Sequence, residues 1–230
     1  MTLGRPLFCL VTDRRQLALR VGCDPDSVEA FDAVIEQARA AAGAGVGLVQ
    51  LRDAALAAGR LVELSRAVRQ AVLPLGARLV VNDRLDVALV SGADGVHLKA
   101  TSVTDRAARH LLGDSRIVGR SVHAAAEMGT ADCADYVVFG TVFSSASKPD
   151  GWVAAGASAL EEVVRAAGRR LVLAIGGITV ETAAEAARRG AAGVAAIGAF
   201  LPQAGAPLSE SVQSRVRALR IAFDSTTPVS

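Results

Sequence analysis

Short apolar runs alternate with longer amphipathic segments along the chain. The runs are almost continuously apolar, which is typical of strands buried on both faces of a parallel sheet. The segments between them carry Ala, Leu and Val at helical spacing, with Arg and Glu on the opposite face. Eight strand-and-helix units in 230 residues predict an α/β fold of the single (β/α)₈ TIM-barrel type. The predicted strands are 7–12, 47–52, 78–82, 95–99, 116–122, 136–143, 171–177 and 194–199.

One barrel accounts for the whole chain as a single domain, residues 1–230, with a core of about 7–223 and tails at 1–6 and 224–230. A doubly wound open sheet is the alternative fold, but the chain has no early glycine-rich dinucleotide turn. The long stretch 144–157 predicts a functional loop such as a lid. The predicted helices are 27–43, 56–75, 84–91, 104–112, 124–133, 158–168, 179–190 and 209–223.

Composition narrows the classes of partner. Apolar residues make up 51% of the chain, enough for a large core, and the formal net charge is only +2. Interspersed charges and 3% aromatic residues argue against binding to nucleic acid or to a membrane surface. Three widely spaced cysteines predict reduced thiols in a cytoplasmic protein, and the apolar run 7–11 is too short for a signal peptide. The sequence leaves open whether copies associate as a homo-oligomer.

Polar side chains cluster at the predicted strand ends, where barrels build their active sites. His123 follows the fifth strand and is the candidate acid–base group, because imidazole titrates near neutral pH. A purely structural hydrogen bond is the competing interpretation for His123. His97 lies inside its strand and is expected to line or buttress the pocket, whereas His110 falls on a surface helix.

Glycines end the last two strands, which is the frequent phosphate site of barrels. We expect Gly176, Gly177 and Gly198 to bind phosphate through backbone N–H groups, with tight turns as the alternative. Thr179 is placed to cap the next helix.

Two further strand-end residues have two interpretations each. Asp83, after Asn82, could hold a metal or cap the helix that begins at Arg84. Arg52 could bind an anionic substrate, or pair with Asp53 or Asp83.

Together these segments resemble the thiamine phosphate synthase superfamily, which includes the thiazole tautomerases. The resemblance rests on VVNDRLDVAL at 80–89, GADGVHL at 92–98, ADYVVFGTVF at 134–143 followed by Lys148, and AIGGI at 174–178. It extends from Leu7 to about Leu201. It implies an enzyme whose substrate is a small phosphorylated thiazole.

Two departures weigh against a synthase. Ala54 stands where the synthase has a diphosphate-binding lysine, and Ser102 stands where it has a second acidic metal ligand. The sequence GRSVH at 119–123 is similar to the tautomerase form of the fifth strand. We therefore interpret the chain as a thiazole tautomerase that aromatises the carboxythiazole phosphate of thiamine biosynthesis without a metal or other cofactor.

The resemblance implies a role for each candidate. His123 would move the proton, and Gly176, Gly177 and Gly198 would anchor the phosphate. Substrate contacts would come from Arg52, Asn82, Ser121 and Lys148.

Two alternatives remain open at this stage. A thiamine phosphate synthase would bind Mg²⁺-diphosphate through Asp83, with Ser145, Ser147 and Lys148 on the diphosphate. A non-catalytic regulator would bind thiazole phosphate without turnover.

Overall fold

The computed structural model describes residues 3–144 and 153–226. In this part of the chain eight parallel strands close into a barrel surrounded by helices, which confirms the predicted TIM barrel. The apolar runs form strands because each is buried against both the barrel interior and the helices. The strands are β1 Leu7–Val11, β2 Leu48–Leu51, β3 Arg78–Asn82, β4 Gly95–Leu98, β5 Ile117–Val122, β6 Tyr136–Gly140, β7 Leu171–Ile175 and β8 Gly193–Ala196.

Each strand pairs with its neighbour in chain order, and β8 returns to pair with β1. The closing register sets Leu7 opposite Gly193 and Cys9 opposite Ala195. Because all pairs are parallel, the carboxyl ends of the eight strands meet at one rim of the barrel. The polar residues that follow the strands are therefore brought together there.

The helices cover the outside of the barrel. One of them, α1, is absent from the sequence prediction because only Leu17 and Ala18 are apolar residues buried on it. Its ends do carry signals, since the Asp13 side chain accepts from the N–H of Gln16 and Gly22 is left-handed at the other end. The α-helices are α1 Arg14–Val21, α2 Val28–Gly43, α3 Ala58–Val72, α4 Leu85–Ser91, α5 Asp105–Leu112, α6 Gly156–Ala167, α7 Val180–Arg188 and α8 Leu208–Asp224, and 3₁₀ turns cover Leu73–Leu75, Ala125–Ala131 and Gly198–Phe200.

Several predicted boundaries are wrong. The strands predicted over 136–143, 171–177 and 194–199 end earlier, at Gly140, Ile175 and Ala196. Positive φ angles at Gly176 and Gly177 turn the chain after β7, and Gly198 begins a 3₁₀ turn after β8. The helix predicted over 124–133 is a 3₁₀ helix. Most of the predicted loop 144–157 lies outside the described residues, and its last two residues already belong to α6.

The barrel interior is packed with side chains from alternate strand positions. Leu48, Val80, Ile117 and Leu173 are among them, together with the fully buried Tyr136. Gly119 on β5 makes room for this tyrosine, because a Cβ at that position would lie 2.1 Å from the Tyr136 ring. A bulky aromatic side chain inside the barrel therefore depends on a glycine in the neighbouring strand.

The cysteines and the hydropathy of the helices can also be compared with the sequence predictions. Cys9, Cys23 and Cys133 are unpaired, as predicted. Among the helices formed by the described residues, none combines the length and the apolar character needed to cross a membrane.

Replacing Gly119 should test this packing. We expect Gly119→Ala to lower the free energy of unfolding by about 2 kcal/mol, because the added methyl group overlaps the Tyr136 ring. Urea unfolding measures the change. Gly129→Ala is the control, since nothing lies within 4 Å of its added Cβ. Equal stability of the two variants would contradict the packing argument.

Candidate active site

Four polar side chains form the upper layer of the barrel interior, just below the rim. They are contributed by consecutive strands, from β2 to β5, because each occupies the inward-facing position nearest its strand's carboxyl end. The Gln50 amide donates to the Asn82 side-chain oxygen over 2.9 Å. The other two members, His97 and Ser121, are also in contact, with 2.9 Å between His97 Nε2 and Ser121 Oγ.

His97 is buried, as the sequence predicts for a residue that buttresses the pocket. Its Nδ1 lies 3.0 Å from the hydroxyl oxygen of Tyr136 on β6. Burial lowers the pKa of His97 to about 4, with a further lowering from the positive charge of Arg120. His97 is therefore a neutral imidazole near pH 7 and not a general acid there.

His123 occupies the rim at the end of β5, where it is exposed. Its Nδ1 lies 2.8 Å from the Gly140 carbonyl oxygen, which can only accept, so Nδ1 carries the proton. The backbone N–H of His123 donates to Glu127. These contacts hold the ring at the mouth with Nε2 as the remaining acceptor. His110, by contrast, is exposed on α5 as expected.

Asp83 follows β3 in a left-handed conformation with φ +61°. Its N–H donates to the His97 carbonyl oxygen over 2.8 Å. One carboxylate oxygen accepts from the Ser102 hydroxyl, and the other pairs with the Lys99 ammonium group. The predicted capping role is wrong, because α4 has Arg84 at its N-cap and no side-chain cap there.

These contacts decide whether the site fits a divalent cation. Both oxygens of Asp83 already have partners, one of them a cation. Within 3–144 and 153–226, no group of three or more His, Cys, Asp or Glu side chains is arranged to hold a metal. A single carboxylate is a weak ligand set for Mg²⁺. The described residues therefore do not fit a Mg²⁺ site.

Arg52 extends from the end of β2 with about half of its side chain exposed. Its guanidinium lies 3.8 Å from the Asp13 carboxylate, and its backbone N–H donates to the Thr12 hydroxyl. The partners considered from sequence are wrong, because Asp53 pairs with Arg14 over 2.7 Å and Asp83 pairs with Lys99. The loose, exposed contact leaves the Arg52 guanidinium accessible to an anion.

The glycines after β7 and β8 differ in what requires them. At Gly176 and Gly177 a Cβ would lie 2.2 and 2.3 Å from Thr141 and Ser144, so close packing of the β6 loop excludes a side chain. Gly198 faces open space instead. Among the described residues, nothing accepts a hydrogen bond from the N–H groups of Gly177 and Gly198. Unpaired N–H groups at two adjacent strand ends suit a bound anion.

A cavity of about 410 Å³ adjoins these glycines. Thr179, Gly198, Ala199 and Arg215 are among its lining residues. Thr179 caps α7, as predicted, by accepting from the N–H of Thr182. Arg215 on α8 donates to the Ala199 carbonyl oxygen over 3.2 Å and brings a positive charge to this side of the rim. The sequence offers no signal for Arg215, since it looks like any exposed helical arginine.

The remaining predicted contact residues fall into two groups, those that the structure describes and those that it does not. Asn82 and Ser121 reach the mouth as expected, whereas Lys148 lies outside the described residues, as do Ser145 and Ser147. The structure adds two residues to the site, Lys99 through its ion pair with Asp83 and Tyr136 through its contact with His97. From the sequence, Tyr136 is noticeable as the single tyrosine of the chain, within a predicted strand. The register of the structure then sets it opposite Gly119 of the neighbouring strand.

Comparison with known proteins identifies the family. Residues 23–200 match the model of the thiamine monophosphate synthase family. A thiamine-phosphate synthase of Roseiflexus castenholzii is 37% identical over 90% of this chain and 85% of its own length, and that of Methanoculleus marisnigri is 42% identical over 71% and 78%. The solved thiamine phosphate pyrophosphorylase of Pyrococcus furiosus superposes with a TM-score of 0.76 at 27% identity, covering 96% of each chain. The chain belongs to the thiamine monophosphate synthase family.

This result corrects the sequence interpretation. The chain is an enzyme of thiamine biosynthesis, but the tautomerase assignment is wrong, because relatives 34–42% identical over most of the chain are named thiamine-phosphate synthase. Ala54 and Ser102 are single-residue departures from the synthase pattern, whereas the longer motifs at 80–89, 92–98, 134–143 and 174–178 agree with the family.

The low pKa of His97 predicts how stability depends on pH. The unfolded imidazole titrates near 6.5 and the folded one near 4, so only the unfolded chain takes up a proton as pH falls between them. The difference of 2.5 pH units corresponds to about 3 kcal/mol of stability lost on going from pH 7 to below pH 4.

Urea unfolding across this range should show a shallower loss for His97→Gln than for the wild type. The control is His110→Gln, whose exposed side chain is expected to leave the slope unchanged. If the slope for His97→Gln matches the wild type, His97 is not held neutral by burial.

Proposed function

We propose that this chain is a thiamine-phosphate synthase, which joins a thiazole phosphate to a pyrimidine carried on a diphosphate. The observation that carries the proposal is the agreement in name among relatives that cover most of the chain. The rim adds support from chemistry. It has anion-binding groups on two separated parts of the strand ring, as two phosphorylated substrates require.

The thiazole phosphate is proposed to bind at the ends of β7 and β8. There the N–H groups of Gly177 and Gly198 donate to the phosphate, with Gly176 shaping the turn after β7. Arg215 adds a positive charge beside the adjoining cavity. Phosphate held in this way fixes the thiazole ring above the barrel interior, within reach of the second substrate.

The pyrimidine diphosphate is proposed to bind on the opposite side of the ring, at the ends of β2 to β5. Arg52 and Lys99 are the cations there, and both side chains are about half exposed, so they can reach diphosphate oxygens. Gln50, Asn82 and Ser121 would contact the heterocycle with amide and hydroxyl groups. Lys148 is retained as an additional diphosphate ligand.

In the reaction the bond between the pyrimidine's carbon and the diphosphate breaks, and the diphosphate leaves with the electron pair. The thiazole phosphate supplies the electron pair for the new bond to that carbon. Charge that builds on the leaving diphosphate is stabilised by cationic side chains. Because the described residues do not fit a Mg²⁺ site, no step is assigned to a metal. The proton transfer assigned to His123 belongs to the isomerase reaction and is not part of this proposal.

A direct assay tests the function. Purified protein is incubated with both substrates, in one arm with Mg²⁺ and in the other with a chelator, and thiamine phosphate and diphosphate are measured. We expect equal amounts of the two products in at least one arm, and none when either substrate is omitted. Binding of thiazole phosphate without any product would overturn the proposal in favour of a ligand-binding protein.

A charge placed at Gly198 tests the phosphate site. We expect Gly198→Asp to raise the KM for thiazole phosphate by about tenfold or more, because a carboxylate would lie beside the phosphate. Gly198→Asn is the matched control, since it has the same size without the charge and enters the same open space. An equal KM in the two variants would place the phosphate elsewhere.

A further inference from the structure

Three side chains form a continuous hydrogen-bonded line from the barrel interior to its mouth. Tyr136 on β6 contacts His97 on β4 over 3.0 Å, and His97 contacts Ser121 on β5 over 2.9 Å. Tyr136 and His97 are 0% and 2% exposed, whereas Ser121 is only partly buried. The line therefore ends at the one member that an incoming substrate can touch.

The fold makes specific room for this line. Gly119 lies between His97 and Tyr136 in the strand register, and a Cβ there would overlap the tyrosine ring. The His97 and Tyr136 rings are 5.5 Å apart between centroids, inclined at 33°. Both ring nitrogens of His97 have a hydroxyl partner, so the imidazole is held at two points. Such a ring cannot rotate without losing both hydrogen bonds, of which the one to Tyr136 is fully buried.

Counting donors and acceptors assigns the protons. A neutral imidazole has one N–H and one lone pair, so one hydroxyl must donate to it and the other must accept from it. The Tyr136 hydroxyl has no other acceptor among the described residues, and a buried O–H without an acceptor is unfavourable. Tyr136 therefore donates to His97 Nδ1, which leaves the His97 proton on Nε2, directed at Ser121 Oγ.

The consequence falls on Ser121. Since its oxygen accepts from His97, its own proton is free to point away from the ring, and within residues 3–144 and 153–226 nothing accepts it. We propose that Tyr136 and His97 are positioning residues, which together orient the Ser121 hydroxyl as a hydrogen-bond donor to an acceptor atom of the pyrimidine substrate. This inference rests on the proposed function and extends it to two residues that do not touch the substrate.

The proton positions can be read directly. In protein labelled with ¹⁵N-histidine, we expect the His97 ring in its Nε2–H form near pH 7, assigned by comparison with the His97→Gln spectrum. The free protein is used, so the result does not depend on activity. A wild-type ring in the Nδ1–H form would overturn the assignment, even if the enzyme makes thiamine phosphate.

A double-mutant cycle tests the coupling to the substrate. Tyr136→Phe removes only the hydroxyl, and we expect it to lower kcat/KM about tenfold, the equivalent of one buried hydrogen bond. The same change made in Ser121→Ala should have no further effect, because the hydroxyl that Tyr136 orients is then absent. Losses that multiply in the double variant would mean that Tyr136 acts only through packing.

Leu173→Ala is the matched control for damage to the barrel. Leu173 is buried in the interior on β7, which does not pair with the strand of Ser121, and it makes no polar contact in the line. Its effect on kcat/KM should be the same in the wild type and in Ser121→Ala. If the wild type makes no thiamine phosphate at all, the proposed function fails, and the spectrum still decides the proton arrangement by itself.

Discussion

Pairing of β8 with β1 is the constraint on which the rest of the molecule depends, because it closes the sheet into a ring of limited width. At Gly193 a Cβ would lie 1.8 Å from the carbonyl oxygen of Leu7, and at Gly95 it would lie 2.0 Å from that of Ile117. Glycine at these inward-facing positions lets neighbouring strands pack closely. Closure also sets all carboxyl ends at one rim, so that residues distant in the chain form a single site.

The narrow interior also limits where polar chemistry can occur. Most inward positions are apolar, whereas near the rim Gln50 pairs with Asn82, and His97 pairs with Ser121. Burial keeps His97 neutral, which makes it a fixed hydrogen-bonding group and not a general acid near pH 7. The packed interior therefore holds the polar groups of the rim in place.

Ion pairs at the rim govern its charge. Asp53 is held by the buried Arg14, Asp83 by Lys99, and Asp13 lies near Arg52. Each carboxylate is thereby partly neutralised, and the exposed cations still face the mouth. At Asp83 a metal ion would have to compete with the Lys99 ammonium group for the same carboxylate oxygen.

The barrel and most of its elements are predictable from the amino-acid pattern, because runs buried on both faces and amphipathic helices are local patterns. The sequence also placed His97 inside and His110 outside, and it located the cap at Thr179. Helix α1 and the ends of β6 to β8 were not predicted correctly. Helix α1 begins at a polar cap, and the turn after β7 depends on the positive φ angles of two glycines. The pairing of Asp83 with Lys99 and the contacts that join Tyr136, His97 and Ser121 become visible in the folded barrel alone, because they depend on strand register and side-chain direction between distant segments.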